Sequence, residues 1–525
     1  MSTIAAAPPA GEARASLTTW IALCGCMLGA LMAVLNIQIT NASLNDIEGG
    51  IGTGTDNGAW ISTAYLIGEI IVIPLTDYLS RVFSFRRFLI VNTALFLVFS
   101  AACAFAQTLP QMIVLRGFQG FTGGVMIPMA FTFALTKLPP SQRPVGIAIF
   151  AMTATFAPAI GPTIGGYLTE TYGWQTIFFV NMVPGAAMLG LLFFTLEKSP
   201  LRLGLLKEGD WLGIACMAIG LACLQTVLEE GNLHDWFGST LIVRLSIAAA
   251  VFLAIFVVIE LRSEKPAVNL RLLANRNFGF GTLANVLVGF TLYGSIYVLP
   301  QYLALVQGYN AEQIGMVLAW VGLPQLLIIP FVPMLIARLD ARVVVVTGLV
   351  IFAASCFMNI HMDLDYSGPQ LLWSNVVRAL GQAILLTPLT AIAMAGIASD
   401  QAAAASGIFN MLRNLGGAVG TAVLATVITK REQFHSNIIG QSVTEYSIPV
   451  REHLGALTHY FEAHGITDAA LAAHSAIVAL GQEVARQALV MAFSDTFYVL
   501  GVVMLAAATS VLLTRRGGAT AAPAH

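Results

Sequence analysis

Thr76-Asp77-Tyr78-Leu79-Ser80-Arg81, with Arg86 and Arg87 close behind, is a short charged turn between two long apolar runs. Each run is long enough to cross a hydrocarbon layer of ~30 Å, which takes about 20 residues of helix. Lys and Arg are retained on the cytoplasmic face during insertion, so a basic turn of this kind is read as cytoplasmic. Outward from it, about fourteen apolar stretches follow, most of about 18–24 residues. With the N-terminus inside, 17 of the 25 Lys and Arg residues fall in cytoplasmic segments and none in the short outer loops. Lys430, Arg431, Arg451 and Arg486 lie in or beside one long outer segment, where that bias is weak. Arg116, Arg244, Arg378 and Arg413 fall inside spans. The even span count, with Arg515 and Arg516 after the last span, places both termini in the cytoplasm.

Composition agrees. The chain is 57% hydrophobic and 10% charged, with a mean hydropathy of +0.80. Soluble domains carry about 25% charged residues, so lipid is the expected solvent. The net charge of −2 is uninformative, and no basic tract points to nucleic acid. Cys24, Cys26, Cys103, Cys216, Cys223 and Cys356 sit in apolar stretches without metal-ligand spacing, so they read as small hydrophobes. Gly50-Ile51-Gly52-Thr53-Gly54 lacks the strand–helix context of a nucleotide fold, and no P-loop occurs. No cofactor, metal or catalytic constellation is expected, and the chain is not read as an enzyme. His435, His453, His459, His464 and His474 crowd into the long outer segment and read as a solvated cluster.

The expected fold is all-α and integral to the membrane. A disordered cytoplasmic tail (1–16) precedes a six-helix half (17–196). Two additional helices (209–261) lead to a second six-helix half (277–514), which contains an outer loop (430–487) with helical pieces such as Asp468–Gln487, where Ala, Leu and Val recur at helical spacing. A short cytoplasmic tail (515–525) ends the chain. The halves look repeated. Asp77 and Asp340, in Leu339-Asp340-Ala341-Arg342, lie 263 positions apart, and Arg116 and Arg378 lie 262 apart. Two landmarks with nearly one offset indicate parallel repeats, an architecture that places substrate between the halves near the bilayer midplane.

Phe150 to Gly166 is rich in small residues and holds Pro158 and Pro162. Small residues let helices approach closely in lipid, and proline kinks them. Here the chain resembles the major facilitator superfamily. Gly161-Pro162-Thr163-Ile164-Gly165-Gly166 is similar to the antiporter signature of the fifth helix, with Ala157 at the family's earlier glycine. Leu115-Arg116-Gly117-Phe118-Gln119-Gly120 resembles the fourth-helix motif, whose arginine is implicated in proton coupling. Asp77, Arg81, Arg86 and Arg87 resemble the gating loop motif, with Pro74 and Ser84 where glycines are usual. Fourteen spans point to the drug:proton antiporters of the EmrB/QacA type, EmrB-like in the long outer loop. Leu35-Asn36-Ile37-Gln38-Ile39-Thr40-Asn41-Ala42-Ser43-Leu44-Asn45 aligns with the first-helix motif of that group, but Asn36 and Asn45 replace its Asp and Pro. Ser406 to Gly420 resembles its glycine-rich thirteenth helix.

The resemblance implies a proton-coupled exporter of amphipathic or aromatic compounds in the bacterial inner membrane. It also implies that the exporter works with a periplasmic adaptor and an outer-membrane channel. A facilitator-type importer or uniporter, or a non-transporting scaffold or sensor, are the alternatives. Ionisable groups inside spans are costly and are functional candidates by default. Glu69 lies about eleven residues into the second span, roughly 16 Å deep at 1.5 Å per residue. Asn36 cannot titrate, so Glu69 is the expected proton carrier, with Arg116 approaching it in one conformation and Asp495 as second candidate. Asp77, Arg81, Gly161, Pro162, Gly165, Gly166 and Asp340 are the gating residues. Gly161 is expected to pack against the other half. Asn36, Gln38, Asn41, Arg378, Asn410 and Arg413 are the expected cavity residues.

Overall fold

The computed structural model describes residues 15–515 except 54, 264–265, 399–400 and 445. Most of the two expected terminal tails falls outside the described residues. No strand occurs among the described residues, in keeping with lipid as the solvent: a helix satisfies its backbone groups internally.

The first half comprises α1 (Leu17–Ala42), α2 (Thr55–Phe83), α3 (Phe85–Ala104), α4 (Leu109–Lys137), α5 (Arg143–Tyr172) and α6 (Thr176–Thr195). The additional pair is α7 (Trp211–Glu230) and α8 (Thr240–Arg262). The second half comprises α9 (Arg276–Leu305), α10 (Glu312–Arg338), α11 (Ala341–Phe357), α12 (Gly368–Met394), α13 (Ala402–Ser442) and α15 (Ala469–Leu512). Outside these spans lies α14 (Ile448–Ala463). Twelve of these helices are long and apolar enough to span. The thirteenth span is α5, bent by 41° between Arg143–Pro158 and Ile160–Tyr172. Proline there removes a backbone hydrogen bond and forces the kink. The fourteenth is the 17-residue α11, at the lower limit for a crossing.

Local chemistry sets the helix starts. The Ser16 hydroxyl accepts from the Thr19 amide, a capping box pairs Asn310 with Gln313, and the Asp468 carboxylate accepts from Ala470 and Leu471.

Two seams join the halves. In one, α5 lies against α10; in the other, α2 lies against α13. Helix α7 packs on α2 and also on α13, so the additional pair sits beside the second seam. The turn after α7 is anchored to both halves. Thr63 Oγ1 on α2 donates to the buried Glu230 Oε1 (3.0 Å), and Trp236 Nε1 donates to Thr426 Oγ1 on α13 (3.0 Å). Helix α8 shows most of its apolar surface outward: only 17% of its span is buried, as suits a face turned to lipid.

The segment 430–487 is mostly helix: α13 continues unbroken to Ser442, α14 packs on α15, and α15 begins at Ala469, where the helical spacing of Asp468–Gln487 places it. The polar helix α14 carries no long apolar run, because helices outside lipid need none.

Candidate functional site

Glycines bring α2 and α4 together. A Cβ at Gly68 would strike the Gly117 carbonyl, and one at Gly120 would strike the Tyr65 carbonyl. The glycines of the fourth-helix motif therefore serve backbone contact. That contact places Arg116 and Glu69 on facing helices. Arg116 is 1% exposed, and its guanidinium is satisfied within its own half. Nη1 donates to Asn36 Oδ1 (2.6 Å) and to Gln119 Oε1 (2.7 Å), and Nε donates to the Ile61 carbonyl (3.2 Å). It also lies 4.4 Å from the Tyr65 ring centroid, within cation–π range. The expected approach to Glu69 is absent in this conformation. Asn36, at the motif's acid position, is the partner instead.

Glu69 is 5% exposed and stands at the α2–α13 seam. Among the described residues no cation lies within 4.0 Å of its carboxylate. Oε1 accepts from Asn414 Nδ2 on α13 at 3.4 Å, and Oε2 has no partner. Across the seam a second glycine set seats α13 on α9: a Cβ at Gly416 would meet the Val286 carbonyl, and one at Gly420 the Phe290 carbonyl. This fixes Arg413 and Asn414. Arg413 Nη2 donates to Asn410 Oδ1 (3.0 Å), while its buried Nε has no partner. Arg413 lines a mid-depth cavity between the halves, with Val34, Ile127, Phe150 and Thr153 from one half and Leu292, Tyr293 and Leu386 from the other. The cavity measures ≈ 10 Å³, about the room one water needs.

Of the expected cavity residues, only Arg413 lines this space. Asn36 is engaged by Arg116. Gln38 lies against Gly161. Asn41 is exposed and accepts from the Ser62 hydroxyl (2.6 Å). Asn410 bridges Arg413 and the Ser406 carbonyl. Arg378 is a correction: it is buried inside the second half, where Nη2 donates to Ser295 Oγ (2.6 Å) and the group lies over the Phe352 ring. Asp495 is another. It pairs with Arg431 (2.5 Å) and His435 (2.7 Å) toward the Ser442 end of α13, away from the cavity. The sequence places Asp495 shallower in its span than Glu69, and the ion pair holds it there.

The glycine motif of α5 is also corrected. Cβ atoms at Gly161 and Gly165 would strike Gln38 and Ile39 of α1, in the same half. Gly166 is buried, and Pro162 is half-buried one residue from Thr163. The contact with the other half comes from Thr163, which lies where a Cβ on Gly315 of α10 would stand. At the opposite end, Asp77 pairs with Arg81 (3.0 Å) and Asp340 with Arg342 (3.2 Å). Sequence reasoning missed Tyr293, Asn414 and the buried Glu230. The run Glu229-Glu230 at the end of an apolar span was the available signal for the last.

Two repeated halves that meet at a small cavity, each with a buried arginine at the same step, have the architecture of a membrane transporter. The major facilitator superfamily model matches residues 26–421, and the chain belongs to that superfamily. It is similar to the colistin resistance protein EmrB of Acinetobacter baumannii, 32% identical over 500 residues, covering 95% of this chain and 97% of the relative. It is similar to the multidrug export protein EmrB of Escherichia coli K12, 30% identical over 476 residues and 90% of each chain. It also resembles the fatty acid resistance protein FarB of Neisseria gonorrhoeae, 30% identical over 87% of this chain and 89% of that one. Among solved structures, the xylose symporter XylE shares the fold with a TM-score of 0.58 at 14% identity, covering 94% of each chain. The human organic anion transporter MFSD10 does so with 0.57 at 15% identity, covering 93% of this chain and 99% of that one.

Proposed function

We propose that the protein is an inner-membrane, proton-coupled exporter of amphipathic or aromatic compounds that works by alternating access. The multidrug export protein EmrB of Escherichia coli and the colistin resistance protein EmrB of Acinetobacter baumannii support this reading. The observation that carries the coupling part is Glu69: a buried carboxylate with one partnerless oxygen, at the seam where the halves must part. A carboxylate so placed trades its proton as the seam opens and closes, because its solvation changes with each rocking step. Reconstituted Glu69→Gln protein should bind substrate but lose uphill transport driven by a pH gradient. Asp495→Asn, whose carboxylate is already paired outside the cavity, should keep it. Uphill transport by Glu69→Gln at the wild-type rate removes Glu69 from the mechanism.

The protein is the pump of a three-part assembly, with both termini cytoplasmic. Helices α13, α14 and α15 reach beyond the apolar spans, and this end exposes Tyr446 in the turn before α14, Ile448 and Tyr460 on α14, and Leu471 and Ile477 on α15, a surface that suits a periplasmic adaptor leading to an outer-membrane channel. Deleting 436–480 should abolish efflux in cells and leave substrate binding by the purified protein intact. Efflux that survives the deletion defeats the adaptor reading. An impermeant thiol reagent outside the cell should label Ser442→Cys but not Ser199→Cys, and the reverse pattern inverts the topology.

A further inference from the structure

Asn414 is held from both sides. Tyr293 Oη on α9 donates to its Oδ1 at 3.2 Å, and its Nδ2 donates to Glu69 Oε1 at 3.4 Å. With the amide oxygen taken by the tyrosine, the group turned to the carboxylate is the NH2, a pure donor. This bond crosses between the halves. One other side-chain hydrogen bond among the described residues does so, between Thr132 and Ser406 near the Asp77 end. The remaining contacts along the seams are largely apolar and small-residue packing, such as Ala148 with Ile329 and Ala383, and packing of that kind does not respond to a proton.

The charged and titratable groups facing Glu69 are Arg116 from α4, Arg413 from α13, Tyr293 from α9 and Tyr65 from α2 itself. Arg116 is committed to Asn36, Gln119 and the Ile61 carbonyl, and Arg413 to Asn410. Asn414 is thus the group by which the second half reaches the carboxylate directly.

We propose that Asn414 is a positioning residue through which the second half registers whether Glu69 is ionised. The inference rests on the reading of Glu69 as the proton carrier. The ionised carboxylate only accepts, so it takes the amide donor in a charge-assisted bond, roughly twice as strong as a neutral one. The proton adds to Oε2, the oxygen without a partner, and leaves from it. Once the group is neutral, the bond to Asn414 loses its charge assistance, and the seam loosens at mid-depth. Tyr293 keeps the amide in the donating sense. Without it the amide can turn its oxygen to the carboxylate and the bond is lost.

The test uses full-length protein in lipid nanodiscs, with native Cys24 replaced and spin labels at exposed Ser141 and Leu339, one on each half at the Asp77 end. Pulsed electron resonance between them measures how the ratio of closed to open populations changes from mildly acidic to mildly alkaline buffer. One hydrogen bond to an ionised group is worth a factor of about ten or more in such a ratio. Asn414→Leu should therefore keep both populations and unchanged substrate affinity, with the pH-driven change reduced about tenfold. Tyr293→Phe should reduce it less. A wild-type pH response in Asn414→Leu overturns the proposal, as does a wild-type protein whose distances ignore pH. A Glu69→Gln protein that still responds like wild type defeats the proton-carrier reading instead, whatever Asn414→Leu does.

Discussion

The arginines of the two halves, Arg116 and Arg378, occupy the same step of the repeat but not the same surroundings. Arg116 has three acceptors and an aromatic face, all from its own half. Arg378 has one hydroxyl and a more distant ring, and its Nε is buried without a partner. The contrast extends to the acid. The position 263 residues after Glu69 is Val332, buried and apolar. The fold has been used twice, and the buried carboxylate once. The first half holds Glu69 and a firmly clamped cation, while the second brings Asn414, Tyr293 and Arg413 toward Glu69.

The largest expected effect tests that inequality directly. Arg116→Met strands Asn36, Gln119 and the Ile61 carbonyl in the interior. Each hydrogen bond to a charged group is worth about 1.5–3 kcal/mol, so export into vesicles should fall by about a hundredfold or more. Arg378→Met replaces a loosely held charge with an apolar group of similar length, an exchange that buried charges often tolerate. Its export rate should stay close to wild type. Equal losses in the two variants would erase the distinction between the halves.

A second pair separates packing within a half from contact between halves. Gly161→Leu drives a side chain into Gln38 of α1 and overpacks the first half, at a cost of about 1–3 kcal/mol. It should lower the midpoint of thermal unfolding. Gly315→Leu instead meets Thr163 across the seam. It should leave each half folded and slow exchange of labelled substrate by a similar free energy, about tenfold. A Gly315→Leu protein that exchanges normally would show that the α5–α10 seam is not part of the moving contact.

The smallest effect sharpens the role of Asn36. Asn36→Asp returns an acid to Arg116, 2.6 Å from its Nη1. In the Glu69→Gln background this should restore part of the uphill transport, because a carboxylate again stands in the first half. In the wild-type background little should change. No recovery in the double variant would show that the position of the acid on α2, at the seam, matters more than its presence in the half.

Span count, repeat and the division into halves were legible, because lipid demands long apolar runs and the offsets between Asp77 and Asp340, and Arg116 and Arg378, are plain in the chain. The place of Glu69 midway along the second span was legible too, from residue count alone. Which face a residue takes was not. Arg378 turns into its own half, Asp495 is paired nearer the Ser442 end of α13, and Gly161 turns to α1 instead of the other half. Asn414 and Tyr293 escaped notice because neutral polar residues in a span look unremarkable until a partner from a distant helix is beside them. In the segment 430–487 the helical spacing of Asp468–Gln487 was legible, while the polar α14 and the extension of α13 to Ser442 were not, because a helix leaving the bilayer gives up its apolar run.

That helix, α13, runs 41 residues without a break, about 60 Å at 1.5 Å per residue. It passes Glu69 at mid-depth and ends among the outer helices. A helix of this length acts as a pointer pivoted in the membrane: about 42 Å separate Asn414 at the seam from Ser442, so a tilt of about 10° there would sweep the tip by roughly 7 Å. Whatever sits on the outer surface would feel each transport cycle as a stroke, delivered mechanically and without any small molecule passing between them.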